Sequence, residues 1–359
     1  MSILSWQLSR RTDELAISAH NAQRQQHIAL DLAEKRKVTA QSLATMVQSL
    51  ASTYSSDATM DTLDARLREA AEMVKSGMLD DDVDTLMLMH RSLGGTLMAR
   101  GMLRESLFHH QKYAELAAAK YGAISRQVTM ALNSQTAALD RLGDYAAAEV
   151  TSRRSIQIDT QLQAKGASPR SAYISNLASI LHAQGKFREA EELYRQRLAS
   201  LIAEANEPRE RIARAKRNIS LELFSQGKIQ EAESLVLEAI EDLKPASTTQ
   251  IEIEDDLLRS YRNLALIRQQ QGRLEEAERL QRQVVQGMIG LYGAKHTHLL
   301  QERVHLASIL LSSGAQHPEK RGEAIMLLRD TESLYNDRAY PGSEHLVALR
   351  RLRQAHEPQ

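Results

Sequence analysis

SAYISNLASILHAQGKFREAEELYRQRLAS, residues 171–200, carries two helical faces around one glycine. Before Gly185, the residues Tyr173, Leu177, Ile180 and Leu181 recur every three to four positions, the spacing of one helix face. Ser168 and Pro169 stand where that helix begins, the serine as its cap and the proline in its first turn. After the glycine, Phe187, Ala190, Tyr194 and Leu198 trace a second face. Gly185 lies where the chain must reverse, and glycine takes a positive φ there without steric cost. The stretch therefore predicts an antiparallel helix pair.

The same phrase recurs along the chain. Turn glycines stand at Gly101, Gly143, Gly185 and Gly227, each step 42 residues long. Gly272 follows after 45 and Gly314 after another 42. Around the first five, the sequence reads ARGMLRES, RLGDYAAA, AQGKFREA, SQGKIQEA and QQGRLEEA. Seven residues before the glycines sit Gly94, Thr136, Ala178, Ser220, Ala265 and Ala307. Five residues after the first five sit Ser106, Ala148, Ala190, Ala232 and Ala277. Small side chains at those places let two helix axes approach to roughly 8 Å. A long fixed period marks an array of stacked units, each packed on its neighbours.

These residues resemble the tetratricopeptide repeat. Leu177, Ala178, Leu181, Gly185, Phe187, Ala190 and Tyr194 supply its pattern once; Leu264, Ala265, Gly272, Leu274 and Ala277 supply it again. The 42-residue step, longer than the common 34, is similar to the form in kinesin light chains and many bacterial proteins. The expected fold is all-α: a right-handed superhelical solenoid of antiparallel helix pairs, about six repeats plus helical caps. The expected domains are an N-terminal helical arm or cap over 1–60, the solenoid over 61–337 and a capping helix with tail over 338–359. The repeats fall near 84–125, 126–167, 168–209, 210–254, 255–296 and 297–337.

At the leading end, Leu63, Leu67, Ala70 and Val74 keep helical spacing, as do Leu43, Met46, Val47 and Leu50 before them. They read as a degenerate pair covering the first repeat. Residues 10–37 are charged with thin apolar content, a solvated helix or an arm for self-association. The lead-in from residue 38 resembles the segment before such repeats in some bacterial membrane-anchored kinases. No Gly-rich loop, HRD or DFG motif accompanies it, so no kinase activity follows.

Composition narrows the function. Lys plus Arg number 46 and Asp plus Glu 46, so no global charge draws the chain to nucleic acid or anionic membrane. No cysteine occurs, which excludes disulfides and thiolate metal sites. No apolar run is long enough to span a bilayer. The opening MSILSWQLSRRTDELAIS lacks an apolar core before a small-residue cleavage site, the pattern of a cytoplasmic chain. His109-His110 and the pair His296 and His298 lack the carboxylate pattern of a metal site. No nucleophile elbow, HExxH or phosphate-binding loop appears. The expectation is a protein without catalysis or cofactor.

Two residues before the small position stand Asn176, Asn218 and Asn263, with His305 in the last repeat and Asn133 one place earlier in the second. A side-chain amide both donates and accepts, so it can pair with the backbone of an extended peptide whatever its sequence. It can equally bond a neighbouring helix, and both readings stay open. In the tetratricopeptide family the first helix of each pair lines the concave groove, and asparagines in this place recognise peptides in kinesin light chains. The resemblance therefore implies a groove over these residues. Arg214 and Arg217 share a helix face with Asn218, and Arg259 and Arg262 with Asn263. Guanidinium forks match carboxylates, so the expected ligand is an acidic protein or peptide segment. The competing expectation pairs these arginines with Asp255, Asp256, Glu252 and Glu254. A second functional expectation is a peptide or small-molecule sensor signalling through the N-terminal arm.

Overall fold

The computed structural model describes residues 18–31, 34–35, 38, 67, 70–72, 74, 82–99, 101–164, 172–203, 208–244, 251–294, 296, 298–314, 317–335 and 344–357. The described secondary structure is helical. The chain forms two compact units, Met1–Leu142 and Gly143–Gln359. The expectations for Leu43, Met46, Val47, Leu50 and Leu63 lie outside the described residues.

The first unit holds α1 (Val83–Ala99), α2 (Leu103–Tyr121) and α3 (Arg126–Arg141), packed in sequence. Residues 18–31 are helical and exposed. Leu67, Ala70 and Val74 pack with Leu86, Met89, Leu93 and Leu97 of α1, so the leading helix does cover the first repeat. Asp82 starts α1, taking the backbone N–H of Thr85 at 3.1 Å and its hydroxyl at 2.7 Å.

The second unit runs α4 (Tyr145–Gln163), α5 (Ala172–Ala183), α6 (Phe187–Ala203), α7 (Arg209–Ser225), α8 (Ile229–Leu243), α9 (Ile251–Gln270), α10 (Leu274–Tyr292), α11 (His298–Ser313), α12 (Pro318–Tyr335) and α13 (Glu344–His356). Each helix packs on the next. First helices also meet across repeats, as α7 does α9. The core runs as two clusters along the unit: Leu177, Tyr194, Ile219, Val236 and Leu264 belong to one, and Leu258, Met288, Leu299, Leu310 and Leu328 to the next. Leu349 of α13 closes the end of that second cluster.

The turn is the Schellman kind. At Gly185 the backbone has φ 75°, and the N–H of Lys186 reaches back to the carbonyl of Leu181 at 2.8 Å. Lys228 does the same to Leu223, and Arg273 to Arg268, both at 2.9 Å. The small positions sit where the paired helices cross: Ala178, Ala190, Ala232, Ala265 and Ala277 are fully buried. Where one of them is serine, its hydroxyl ties the crossing. Ser106 donates to the carbonyl of Gly94, and Ser220 to that of Ala232, both at 2.7 Å.

The repeated phrase has a second use. Glu149, Glu191, Glu233 and Glu278 each stand six residues after a turn glycine. Each accepts side chains from the next repeat's turn region. Gln184 and Lys186 reach Glu149 at 2.9 and 2.8 Å. Gln226 and Lys228 reach Glu191 at 2.7 and 3.3 Å. Gln271 and Arg268 hold Glu233, and Lys320 holds Glu278 at 2.8 Å. Arg195 on Glu191 and Arg282 on Glu278 form i,i+4 pairs as well. One carboxylate thus serves its own helix and the neighbouring repeat. The hydrogen bond from Lys186 pulls the carboxyl of Glu149 down to about 2. Because Glu191 is 8 % exposed, Glu191→Ala strands Gln226 and Lys228. Urea unfolding is expected to read a loss of about 1–3 kcal/mol. Glu192→Ala, at an exposed position of the same helix, is expected to read none.

Candidate functional site

The first helices α7, α9 and α11 of the second unit carry the predicted arginines and three of the predicted polar residues. Arg214 and Arg217 both reach across the repeat boundary to Asp256, at 2.6 and 2.8 Å. Arg259 pairs with Asp255 on its own helix at 2.6 Å. Arg262 crosses the next boundary to Glu302 at 3.3 Å. The arginines therefore do meet Asp255 and Asp256, and Glu302 joins them. Four guanidiniums face these three carboxylates. They also feel one another. Burial is the main force holding Arg217 down at about 10, and Arg259, Arg262 and Arg214 add repulsion that Asp256 opposes.

Both asparagines of this stripe touch the arginines. The Asn218 carbonyl oxygen accepts from Arg217 at 3.0 Å. The Asn263 amide donates to the backbone carbonyl of Arg217 at 3.2 Å, linking α9 to α7. That bond is the helix-to-helix role left open above. Yet the Asn263 carbonyl oxygen is buried with no partner, as are one oxygen of Asp255 and the Nε of Arg262. Buried polar atoms in folded proteins are nearly always satisfied. Three such unpartnered atoms lie on this one stripe.

The other predicted residues lie on neighbouring elements. Asn176 is half-buried on α5 and His305 half-buried on α11. Asn133 is half-buried on α3, in the first unit. Sequence reasoning missed the bridge from α5 to α7, where His182 Nδ1 lies 2.9 Å from Glu222. Burial raises the Glu222 carboxyl, against the pull of His182. The signal was there: Glu222 follows His182 by 40 residues, close to one repeat. A ring cluster ends the stripe. Tyr292 stacks on His296 at 4.7 Å, His298 sits edge-on at 4.6 Å from His296, and the Tyr292 hydroxyl bonds Asp255.

Among the described residues, no group of three His, Cys, Asp or Glu is arranged to hold a metal ion, and no helix is long and apolar enough to cross a membrane. The site offers paired donors and acceptors along a helix face.

Comparison with known proteins bears on the same repeats. A tetratricopeptide repeat model matches residues 257–298, and a second tetratricopeptide repeat model matches 172–209. No curated protein matches the sequence. Among solved structures, the apo form of the quorum sensor NprR from B. thuringiensis is similar, with 14% identity over 98% of this chain and 94% of that one, at a TM-score of 0.57. NprR in complex with its cognate peptide NprX shows 13% identity over 98% and 100%, at 0.51. A Rap protein complexed with Competence and Sporulation Factor shows 12% over 90% and 96%, at 0.50. At such identities the likeness is one of fold. With the repeated phrase, the glycine turn and the family matches all agreeing, the chain carries tetratricopeptide repeats, matched at residues 172–209 and 257–298.

Proposed function

We propose that the chain is a non-catalytic peptide-binding protein, and that the ligand is an extended, acidic segment lying along α7, α9 and α11. The observation that carries this reading is the set of buried, unsatisfied polar atoms on Asn263, Arg262 and Asp255, beside four guanidiniums. A peptide backbone supplies the missing donors and acceptors, and its carboxylates compete with Asp255 and Asp256 for the arginine forks. Asn176, Asn218 and Asn263 hold the backbone. His305 extends the same register on α11, and Asn133 holds the sequence position one place earlier in a repeat of the first unit.

A sensor role is favoured over a passive scaffold by one feature. The arginines bind across repeat boundaries, so a ligand carboxylate that displaces Asp256 acts on the joint between α7 and α9. Two of the solved structures similar in fold are named as complexes, one with a cognate peptide and one with Competence and Sporulation Factor, which supports this reading.

The test is a screen of short synthetic peptides against the full chain, followed by titration of the tightest binder. The binder is expected to be rich in Asp and Glu, and its affinity to fall as salt rises, since exposed charge attraction is screened. Asn218→Ala is expected to weaken it by about 1 kcal/mol, roughly fivefold. An affinity indifferent both to salt and to Asn218→Ala sinks the proposal.

A further inference from the structure

The first unit holds a cluster that peptide binding does not use. His90 on α1 and His109 and His110 on α2 are 5, 6 and 2 % exposed, three imidazoles shut between two helices. His90 and His109 face each other Nδ1 to Nδ1 at 2.9 Å. Such a contact needs one N–H and one lone pair. It survives with both rings neutral or with one extra proton on the pair. A second extra proton sets two N–H groups against each other and breaks it.

His110 is more constrained. Both of its ring nitrogens are buried without a partner. Its ring lies so close to Gly94 that a Cβ there would sit 2.6 Å from Cε1 and 2.7 Å from Nδ1. An imidazolium carries two N–H donors, and nothing among the described residues stands ready to accept either. The neutral ring is tolerated; the charged ring needs water, and water reaches it only when α1 and α2 part.

Among the described residues the surroundings offer little counter-charge. From α2, Lys112 disfavours and Glu115 favours a charge on His90, and the two pair with each other at 2.7 Å on the exposed side. On α1, Arg91 lies against Tyr113. From α3, the Gln135 amide donates to the backbone carbonyl of His110 at 3.2 Å, and Arg141 binds the carbonyl of Met98. The helical residues packed on the far side of α1 are Leu67, Ala70 and Val74, with Glu72 exposed. Phe108, itself exposed, sets its ring edge-on to His90 and to His109, at 6.5 and 5.3 Å.

We propose that the α1–α2 pair is an acid-sensitive joint: below neutral pH the buried histidines take up protons, and α1 separates from α2 while the second unit stays folded. Burial holds both His90 and His110 at about 4, against 6.5 for a free histidine. Their folded values lie below their unfolded ones. The closed pair is therefore most stable above 6.5 and loses stability as pH falls from there to about 4. In the second unit the Glu149 carboxyl sits at about 2, so its bridges stay charged across that window.

Hydrogen exchange of the full chain at pH 7 and pH 5, corrected for intrinsic rates, tests this. Opening of α1 and α2 is expected to rise roughly twentyfold per buried histidine between the two, with α7 and α9 unchanged. His110→Gln, which cannot titrate, is expected to remove roughly twentyfold of that rise. His90→Gln gives an independent second reading should the first variant fold poorly. Equal opening at both pH values overturns the proposal. So does a rise undiminished in both variants, or one shared by every helix of both units.

Discussion

Asp256→Ala is expected to cost the second unit about 3–5 kcal/mol, the cost of removing one partner from a buried ion pair. Asp256 is 4 % exposed and accepts from two arginines of the preceding repeat, Arg214 and Arg217. The side chain of Arg217 is 11 % exposed. Without Asp256 its guanidinium keeps the Asn218 oxygen as a partner but stays surrounded by Arg214, Arg259 and Arg262. A buried charge left among like charges has no inexpensive refuge. Replacing the pair together, as Asp256→Leu with Arg217→Met, is expected to recover most of the loss, because an apolar pair needs no partner. Urea unfolding of the two variants beside wild type decides it. Equal losses in both would mean that packing, not charge, holds this boundary.

Ala232→Arg is the second large effect. Ala232 is fully buried where α7 crosses α8, and its carbonyl takes the Ser220 hydroxyl at 2.7 Å. Val236, Ile219 and Leu223 of the same cluster leave no opening for a long cation. Overpacking and an unpaired buried charge together are expected to cost about 3 kcal/mol or more. Thermal unfolding measures it, with Glu231→Arg as the control, since Glu231 is exposed next door. A melting temperature equal to wild type would remove Ala232 from the helix crossing.

Much of the architecture was legible because one turn imposes its constraints on both sides. A glycine needed for positive φ fixes the register, and small residues seven before and five after it follow from the crossing. The two-way use of Glu191 was not legible. Its spacing to Arg195 already explains a carboxylate there, and only stacking of the next repeat brings Gln226 and Lys228 to the same oxygens. Asp255 and Asp256 stood among the expected partners of the arginines, but Glu302 did not, because it lies on the next first helix 40 residues beyond Arg262, a distance that local charge patterning does not cover. The division at Leu142 and Gly143 left no mark either, for the phrase RLGDYAAA runs through it unbroken. The histidine cluster was half visible. His109-His110 stood out as a pair, but His90 joins them only through the hairpin, where residues equally far from the turn meet, as Gly94 meets Ser106.

Hydrogen exchange of the full chain with and without the selected acidic peptide tests the central claim most directly. Added protection in α7 and α9, centred on Arg214–Asn218 and Arg259–Asn263, is the predicted result. Protection confined to the second helices α8 and α10, or none in the presence of saturating peptide, would contradict a binding face on the first helices.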